Sequence, residues 1–442
     1  MSDKLIFILP VLTVIFFFIT ILYKGNSVET FLIFILTFLP LMELRVTKEI
    51  HGAFRTFDLL CYLSIIFLFK DFITINLKHS RNNIYFLLFI LLACIMLLGN
   101  LASDLSERVY INLLKTFPIF IFGRFLLTAC LKDPTFHLKF IKALKISYLI
   151  AICFMVIQVI LGLKFTYYPT LSTNTYDPQF NLIRYPGFFY DSQGNGQFMA
   201  MGSFLLLLPE KSLKKQSLIL NVIIYLLAIL CIFLAGSRSA IAGYFVGLFL
   251  VFLMSGKKIR TYGAILVLLL CISFAILNPP SVGIFNRTQN IADDYLFRQS
   301  LWKEAYGIVK EFPVLGIGNG NYQPYVTKHL QDHYLEIVPG ELLYFDQPEN
   351  GYLKVLVELG YAGFAVFALF IFIPMVKGLR YYIKGLYDSK ISLFLAALLC
   401  WLTAFNSVYS IFVIRLLIMV ASMICLIISY PKTKYLINDL VS

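Results

Sequence analysis

The chain has 442 residues, 60% of them hydrophobic and only 14% charged, with a formal net charge of +13. A soluble protein of this size cannot hide so much apolar surface, because its shell has to be built from polar residues, and a water-soluble fold is excluded. The positive balance does not point to nucleic acid either, since the basic residues sit in short connections between apolar runs.

Those runs recur at lengths that cross about 30 Å of hydrocarbon, where a helix satisfies its own backbone. The first, Leu5 to Tyr23, follows Lys4. It is too long for a signal peptide and lacks a small-residue cleavage site, so it reads as an uncleaved first helix. Further candidates cover 31–43, 84–99, 109–127, 146–163, 197–209, 218–235, 239–254, 261–277, 352–376, 391–405 and 411–430, with a weaker one at 59–69. The expected fold is an all-α polytopic membrane protein of about twelve transmembrane helices. Residues 1–277 form a bundle of nine or ten spans with an external connection at 164–196. Residues 278–348 form a long external loop carrying short helices, and 349–442 supply three C-terminal helices.

Side assignment follows from the basic connections. Lys211, Lys214 and Lys215 share one; Lys257, Lys258 and Arg260 a second; Lys377, Arg380 and Lys384 a third; Lys432 and Lys434 follow the last run. The positive-inside rule makes that side cytoplasmic, with both termini inside and an even number of spans. Arg45, Lys48 and Arg55 conflict with Lys78 and Arg81 if every candidate crosses, so one of 31–43 or 59–69 is expected not to cross fully. None of the eight cysteines lies in an external loop, and no disulfide framework is implied.

Four polar clusters fall on the predicted external side. The first is Arg184-Tyr185-Pro186-Gly187, running through Asp191 to Gly194-Asn195-Gly196-Gln197 at a helix start, where free amides favour an anion. The second is the turn Gly236-Ser237-Arg238-Ser239. An arginine at an external turn wants an anionic partner, either a ligand or the headgroup phosphates that it could reach by snorkelling. The third is Arg298-x-x-x-Trp302 on a stretch with helical spacing over 298–311, ended by Pro313 and followed by Gly316-x-Gly318-Asn319-Gly320. That glycine run has no strand before it and no helix directly after it, so a nucleotide site is rejected. Asp293-Asp294 is not a spaced metal-binding pair, and His329 and His333 lack Cys or Glu in register. The fourth is Glu349-Asn350-Gly351-Tyr352-Leu353, continuing to Glu358-Leu359-Gly360. Glu349 at a membrane rim is either a base made usable by partial desolvation or an acid favoured by a helix dipole; both readings stand on sequence.

In this order, around one long loop, the clusters resemble the O-antigen polymerase and O-antigen ligase superfamily of bacterial surface-polysaccharide assembly. The resemblance spans about 180–365 by motif and the whole chain by hydropathy. It implies metal-free, cofactor-free glycosyl transfer at the outer face of the cytoplasmic (inner) membrane, with the site facing the periplasm or exterior. The implied donor is an oligosaccharide on undecaprenyl diphosphate, and the acceptor is a sugar hydroxyl on another such lipid. Membrane lipid and a chain-length regulator protein are the other implied partners. Arg238 and Arg298 would stabilise the leaving diphosphate, and Glu349 would orient or deprotonate the attacking hydroxyl. Arg184, Asn195, Asn350, Tyr352 and Arg415 are the expected substrate-binding residues. Ligases of the family usually carry histidine where this chain has Glu349, which favours the polymerase branch. A ligase moving glycan to lipid A core or protein is the alternative. A lipid-linked oligosaccharide transporter is a second alternative, but it would call for embedded ionisable pairs or an inverted repeat, and neither is visible.

Overall fold

The computed structural model describes residues 3–25, 27–45, 54–73, 83–101, 109–168, 170–177, 182–208, 215–256, 291–329, 335–338, 341–343, 348–411 and 413–430. The predicted span 261–277, part of the 278–348 loop and the basic residues Lys48, Lys78, Arg81, Lys211, Lys214, Lys257, Lys258, Arg260, Lys432 and Lys434 lie outside the described residues, as do Cys271, Asp332, His333 and Asp346.

The described chain is helical apart from two short antiparallel strand pairs. Among the described residues, ten helices precede the long loop: α1 (Asp3–Lys24), α2 (Val28–Thr37), α3 (Thr56–Phe67), α4 (Phe69–Ile73), α5 (Asn83–Leu101), α6 (Val109–Lys132), α7 (Pro134–Leu161), α8 (Ser192–Leu206), α9 (Lys215–Leu234) and α10 (Arg238–Met254). The loop carries α11 (Ile291–Glu311) and α12 (Tyr322–His329), then β3 (Leu335–Val338) paired with β4 (Glu341–Leu343). The chain continues through α13 (Gly351–Ile383), α14 (Ile391–Phe405) and α15 (Ile414–Ile428). The other strand pair, β1 (Tyr176–Asp177) with β2 (Leu182–Ile183), lies in the 164–196 connection.

Among the described residues, three helical stretches, Asn112–Lys132, Thr135–Leu161 and Gly351–Ile383, are long and apolar enough to cross a bilayer, and eight shorter apolar helices of 10–17 residues accompany them. The protein is thus a multi-pass membrane protein. The segment with conflicting charges is built from short pieces. At 10 and 12 residues, α2 and α3 measure about 15 and 18 Å, well under the hydrocarbon thickness. The chain folds back between them, with Thr56 N donating to Leu44 O at 2.9 Å and Phe57 N to Met42 O at 3.1 Å.

At the centre, α8 and α14 are buried on almost every face and pack against α10. Among lipid-bathed helices the drive to associate is close packing, and small residues permit it. Gly243 and Gly247, one turn apart on α10, do this against α14: an added Cβ would lie 2.4 Å from Cys400 O and 2.9 Å from Ala396 O respectively.

Two departures from expectation concern the loop. A helix does follow the glycine run, since α12 begins at Tyr322 directly after Gly320-Asn321. The helix after the loop is also longer than 352–376 and is broken at Gly360 (φ 63°). Segment 313–318 runs alongside that break. Ile317 N donates to Val357 O (3.0 Å), Gly318 N to Glu358 O (2.9 Å) and Tyr361 N to Pro313 O (2.8 Å). The carbonyls and amides freed by the break are thereby satisfied, which the membrane setting demands. A Cβ on Gly316 would sit 2.5 Å from Val357 O, and one on Gly360 2.3 Å from Val314 O. The Pro313…Gly316-x-Gly318 and Glu358-Leu359-Gly360 motifs are therefore two halves of one backbone joint.

Candidate active site

The joint fixes α11 and the start of α13 side by side. Arg298 and Trp302 lie one helical turn apart on α11 and share a face. Trp302 Nε1 donates to Pro348 O at 2.9 Å, and Arg298 Nη2 meets Glu349 Oε2 at 2.7 Å. The two motif residues thus grip consecutive residues of the segment before α13. Glu349 itself has φ 44°, the only positive φ at a non-glycine among the described residues. A left-handed glutamate costs about 1–2 kcal/mol and persists only where its surroundings enforce it. The enforcing contacts are Trp302 on one side and the α13 cap on the other.

That cap explains the remaining letters of the motif. Asn350 accepts from Leu353 N at 3.1 Å and donates Nδ2 to Asn406 Oδ1 at 3.3 Å. Gly351 abuts Phe405, where a Cβ would fall 2.6 Å from the carbonyl oxygen. Tyr352 donates its hydroxyl to Leu402 O at 2.7 Å. Asn350, Gly351 and Tyr352 therefore dock α13 on α14, and Glu349 is the residue left facing a cavity.

The cavity has a volume of about 350 Å³ and is lined by Arg184, Asp191, Arg238, Arg298, Glu349 and Tyr409, with small polar neighbours. Arg184 and Arg238 arrive through the Gly236-Ser237 turn. Ser237 caps α10, its Oγ accepting from Ala240 N at 3.4 Å, which leaves Arg238 at the first helical position. Gly236 (φ 65°) passes directly over the Arg184 stem, where a Cβ would lie 2.7 Å from Cγ. Tyr185 N donates to Leu234 O at 3.0 Å and fastens the two segments together. Three guanidinium groups face two carboxylates, so the cavity favours an anion with several acceptor oxygens. Burial raises the Asp191 carboxyl above its ordinary range, which weakens its opposition to such an anion.

Four of the residues singled out from sequence meet in this cavity: Arg184, Arg238, Arg298 and Glu349. The others are placed elsewhere. Asn195 is fully buried and donates to Tyr185 O (3.0 Å) and Met155 Sδ (3.2 Å). Asn350 and Tyr352 make the docking contacts above. Arg415 is fully buried on α15, donating to Phe188 O and Pro40 O, 3.6 Å from Glu43 Oε2 and beneath the rings of Tyr168, Phe188 and Phe189. It ties three segments together. His329 packs against Tyr325 with the rings tilted and their centroids 4.5 Å apart. Sequence reasoning missed Asn174 and Tyr409. The polar break Asn406-Ser407-Val408-Tyr409-Ser410 between two apolar runs was the available signal for the second.

The protein is thus a helical membrane protein with an arginine-lined polar cavity suited to an anion. Residues 223–368, about a third of the chain, match the family model described as O-antigen ligase. The matched stretch holds the Gly236–Ser239 turn, Arg298, Trp302, the backbone joint and Glu349, and it supports the resemblance to the O-antigen polymerase and ligase superfamily. No curated protein gives a match.

Proposed function

We propose that this protein is a polysaccharide polymerase of the O-antigen or capsule type in the bacterial cytoplasmic membrane. It transfers glycan from an undecaprenyl diphosphate carrier to a sugar hydroxyl of another lipid-linked repeat at the outer face. The observation that carries this reading is the 2.7 Å Arg298–Glu349 pair inside a cavity shared with Arg184 and Arg238. In the reaction the acceptor oxygen bonds the anomeric carbon as the bond from that carbon to the phosphate oxygen breaks. The electron pair leaves with the diphosphate, and the hydroxyl proton passes to Glu349. Forked guanidinium donors suit the charge that develops on the diphosphate oxygens. A diphosphate that draws Arg298 away also releases the Glu349 oxygen for the acceptor hydroxyl, so both partners of the pair have work in one step. The scheme needs neither nucleotide sugar nor metal.

The description of the matched family favours a second reading, transfer of finished glycan to lipid A core or protein. Glycan analysis of a null strain separates the two. A polymerase null carries a single repeat or none at the surface while translocation of the lipid-linked unit stays intact. Full-length polymer held on the carrier would establish the ligase, and repeats trapped on the cytoplasmic face would establish a flippase.

A further inference from the structure

Tyr409 lines the polar cavity and also a second cavity, of about 230 Å³, whose walls are almost wholly apolar. This second cavity lies between α5, α6, α13 and α15, with Phe89, Phe117, Phe120, Phe370, Leu417 and Ile424 among its lining residues. It is elongated along the helix axes. Its lining runs from Thr116 to Leu127 on α6 and from Leu417 to Ile428 on α15, about 16 Å on each. Asn319 and Glu358 join Tyr409 in the lining, Tyr85, Thr116 and Arg124 add further polar groups along it, and the rest of the wall is apolar and rich in phenylalanine.

The Tyr409 ring is held rather than loose. Its hydroxyl donates to Glu358 Oε2 over 3.4 Å, and Lys354 Nζ stands 4.3 Å from the ring centroid. Both partners are buried and one turn apart on α13, the helix whose N-terminus presents Glu349. Tyr409 thus occupies the boundary between a cavity sorted for anionic oxygen and a channel sorted for hydrocarbon.

We infer that Tyr409 is a specificity-determining residue for the donor, seated where the diphosphate meets its isoprenoid chain, and that the apolar cavity between α5, α6, α13 and α15 takes the first part of that chain. This rests on the donor assigned under Proposed function. A ligand that is a polyanion at one end and hydrocarbon at the other matches the two cavities on either side of Tyr409 in order, whereas a soluble sugar phosphate would leave the second cavity without purpose. The chain is already in hydrocarbon before it binds, so the cavity gains packing and position and no hydrophobic transfer energy. Its contribution to donor selection is accordingly modest, on the order of tenfold.

The test uses purified full-length protein with two donors that differ only in the group on the diphosphate, undecaprenyl or methyl, carrying the same repeat. Ala421→Phe puts bulk into the channel from α15. Gly123→Leu does so from α6, where an added Cβ has nothing nearer than Cys425 Sγ at 3.9 Å. Tyr409→Ala removes the boundary, and Tyr409→Phe keeps the ring while deleting its bond to Glu358. The ratio of kcat/KM for the undecaprenyl donor over the methyl donor is expected to fall about tenfold in Ala421→Phe, Gly123→Leu and Tyr409→Ala, and to hold in Tyr409→Phe. Activity on the methyl donor shows that each variant is folded. An unchanged ratio in all three variants, or equal loss on both donors, overturns the inference. If wild-type protein elongates neither donor, the assignment of the donor itself falls instead.

Discussion

Replacing Arg298 by lysine separates a structural from a chemical purpose for the Arg298–Glu349 pair. The side chains are 32% and 38% exposed, so solvent screens the 2.7 Å contact, and its net worth to stability is about 0–1 kcal/mol. Trp302, bonded to Pro348 O, keeps α11 attached to the same segment in the variant. Thermal unfolding in detergent should therefore move by only about 2–4 °C at most. The chemical cost is different in kind. Lysine keeps the charge but loses the planar fork that can serve two phosphate oxygens. Removing one such donor from a developing oxyanion typically costs about 3 kcal/mol, roughly a hundredfold in rate. The assay is elongation of a purified lipid-linked repeat scored by ladder length, with a melting curve on the same preparation. A variant that elongates within about threefold of wild type would falsify the role given to Arg298, and a rate loss matched by loss of folded protein would return the pair to a purely structural one.

Glu349→Gln keeps the shape but accepts no proton and should abolish elongation, while Glu349→His retains more activity because imidazole accepts a proton near neutral pH; equal activity in the two would remove Glu349 as base. Gly360→Ala meets Val314 O at 2.3 Å with φ 63°, and a loss of about 2–4 kcal/mol in detergent unfolding is expected; near-wild-type stability would mean that the backbone joint is not rigid. Arg415→Met leaves the Phe188 and Pro40 carbonyls and Glu43 without their partner, so it should destabilise by about 3 kcal/mol without raising the donor KM of the folded fraction; a raised KM at unchanged stability would restore Arg415 to substrate binding. Lys328→Cys, at an exposed position near the end of α12, should react with a membrane-impermeant thiol reagent in intact spheroplasts, and protection there would invert the proposed topology.

The candidate site was legible to the extent that its chemistry sits in residues that break the local pattern. Arg238 stood out because a helical hairpin needs small residues but no arginine, and Glu349 because an acid preceded a long apolar run. Both line the cavity. Asn195, Tyr352 and Arg415 broke the pattern just as visibly, yet their polar atoms go to backbone carbonyls, a thioether and the Glu43 carboxylate. In a low-dielectric interior, any polar side chain has to be satisfied whether it serves a ligand or the fold, so residue type alone does not separate the two. The glycine run 316–320, rejected from sequence as a nucleotide site, had no assigned purpose there, and the structure shows Gly316 and Gly318 holding two backbones together.

The amino-acid sequence by itself determined the class of the molecule and the residue types at its site. Sixty per cent hydrophobic content in helix-length runs has no stable arrangement outside a bilayer. An arginine or a glutamate beside such runs is too costly to keep without a partner. Only the tertiary structure decided which polar residues share one space. Arg184, Arg238, Arg298 and Glu349 span 166 positions of chain, and they meet because the Gly236 turn closes over Arg184 and the broken α13 clasps segment 313–318. Tyr409 joins them from yet another connection. Such convergence depends on backbone approaches of a few ångströms between segments far apart in sequence, and those distances are fixed by packing alone.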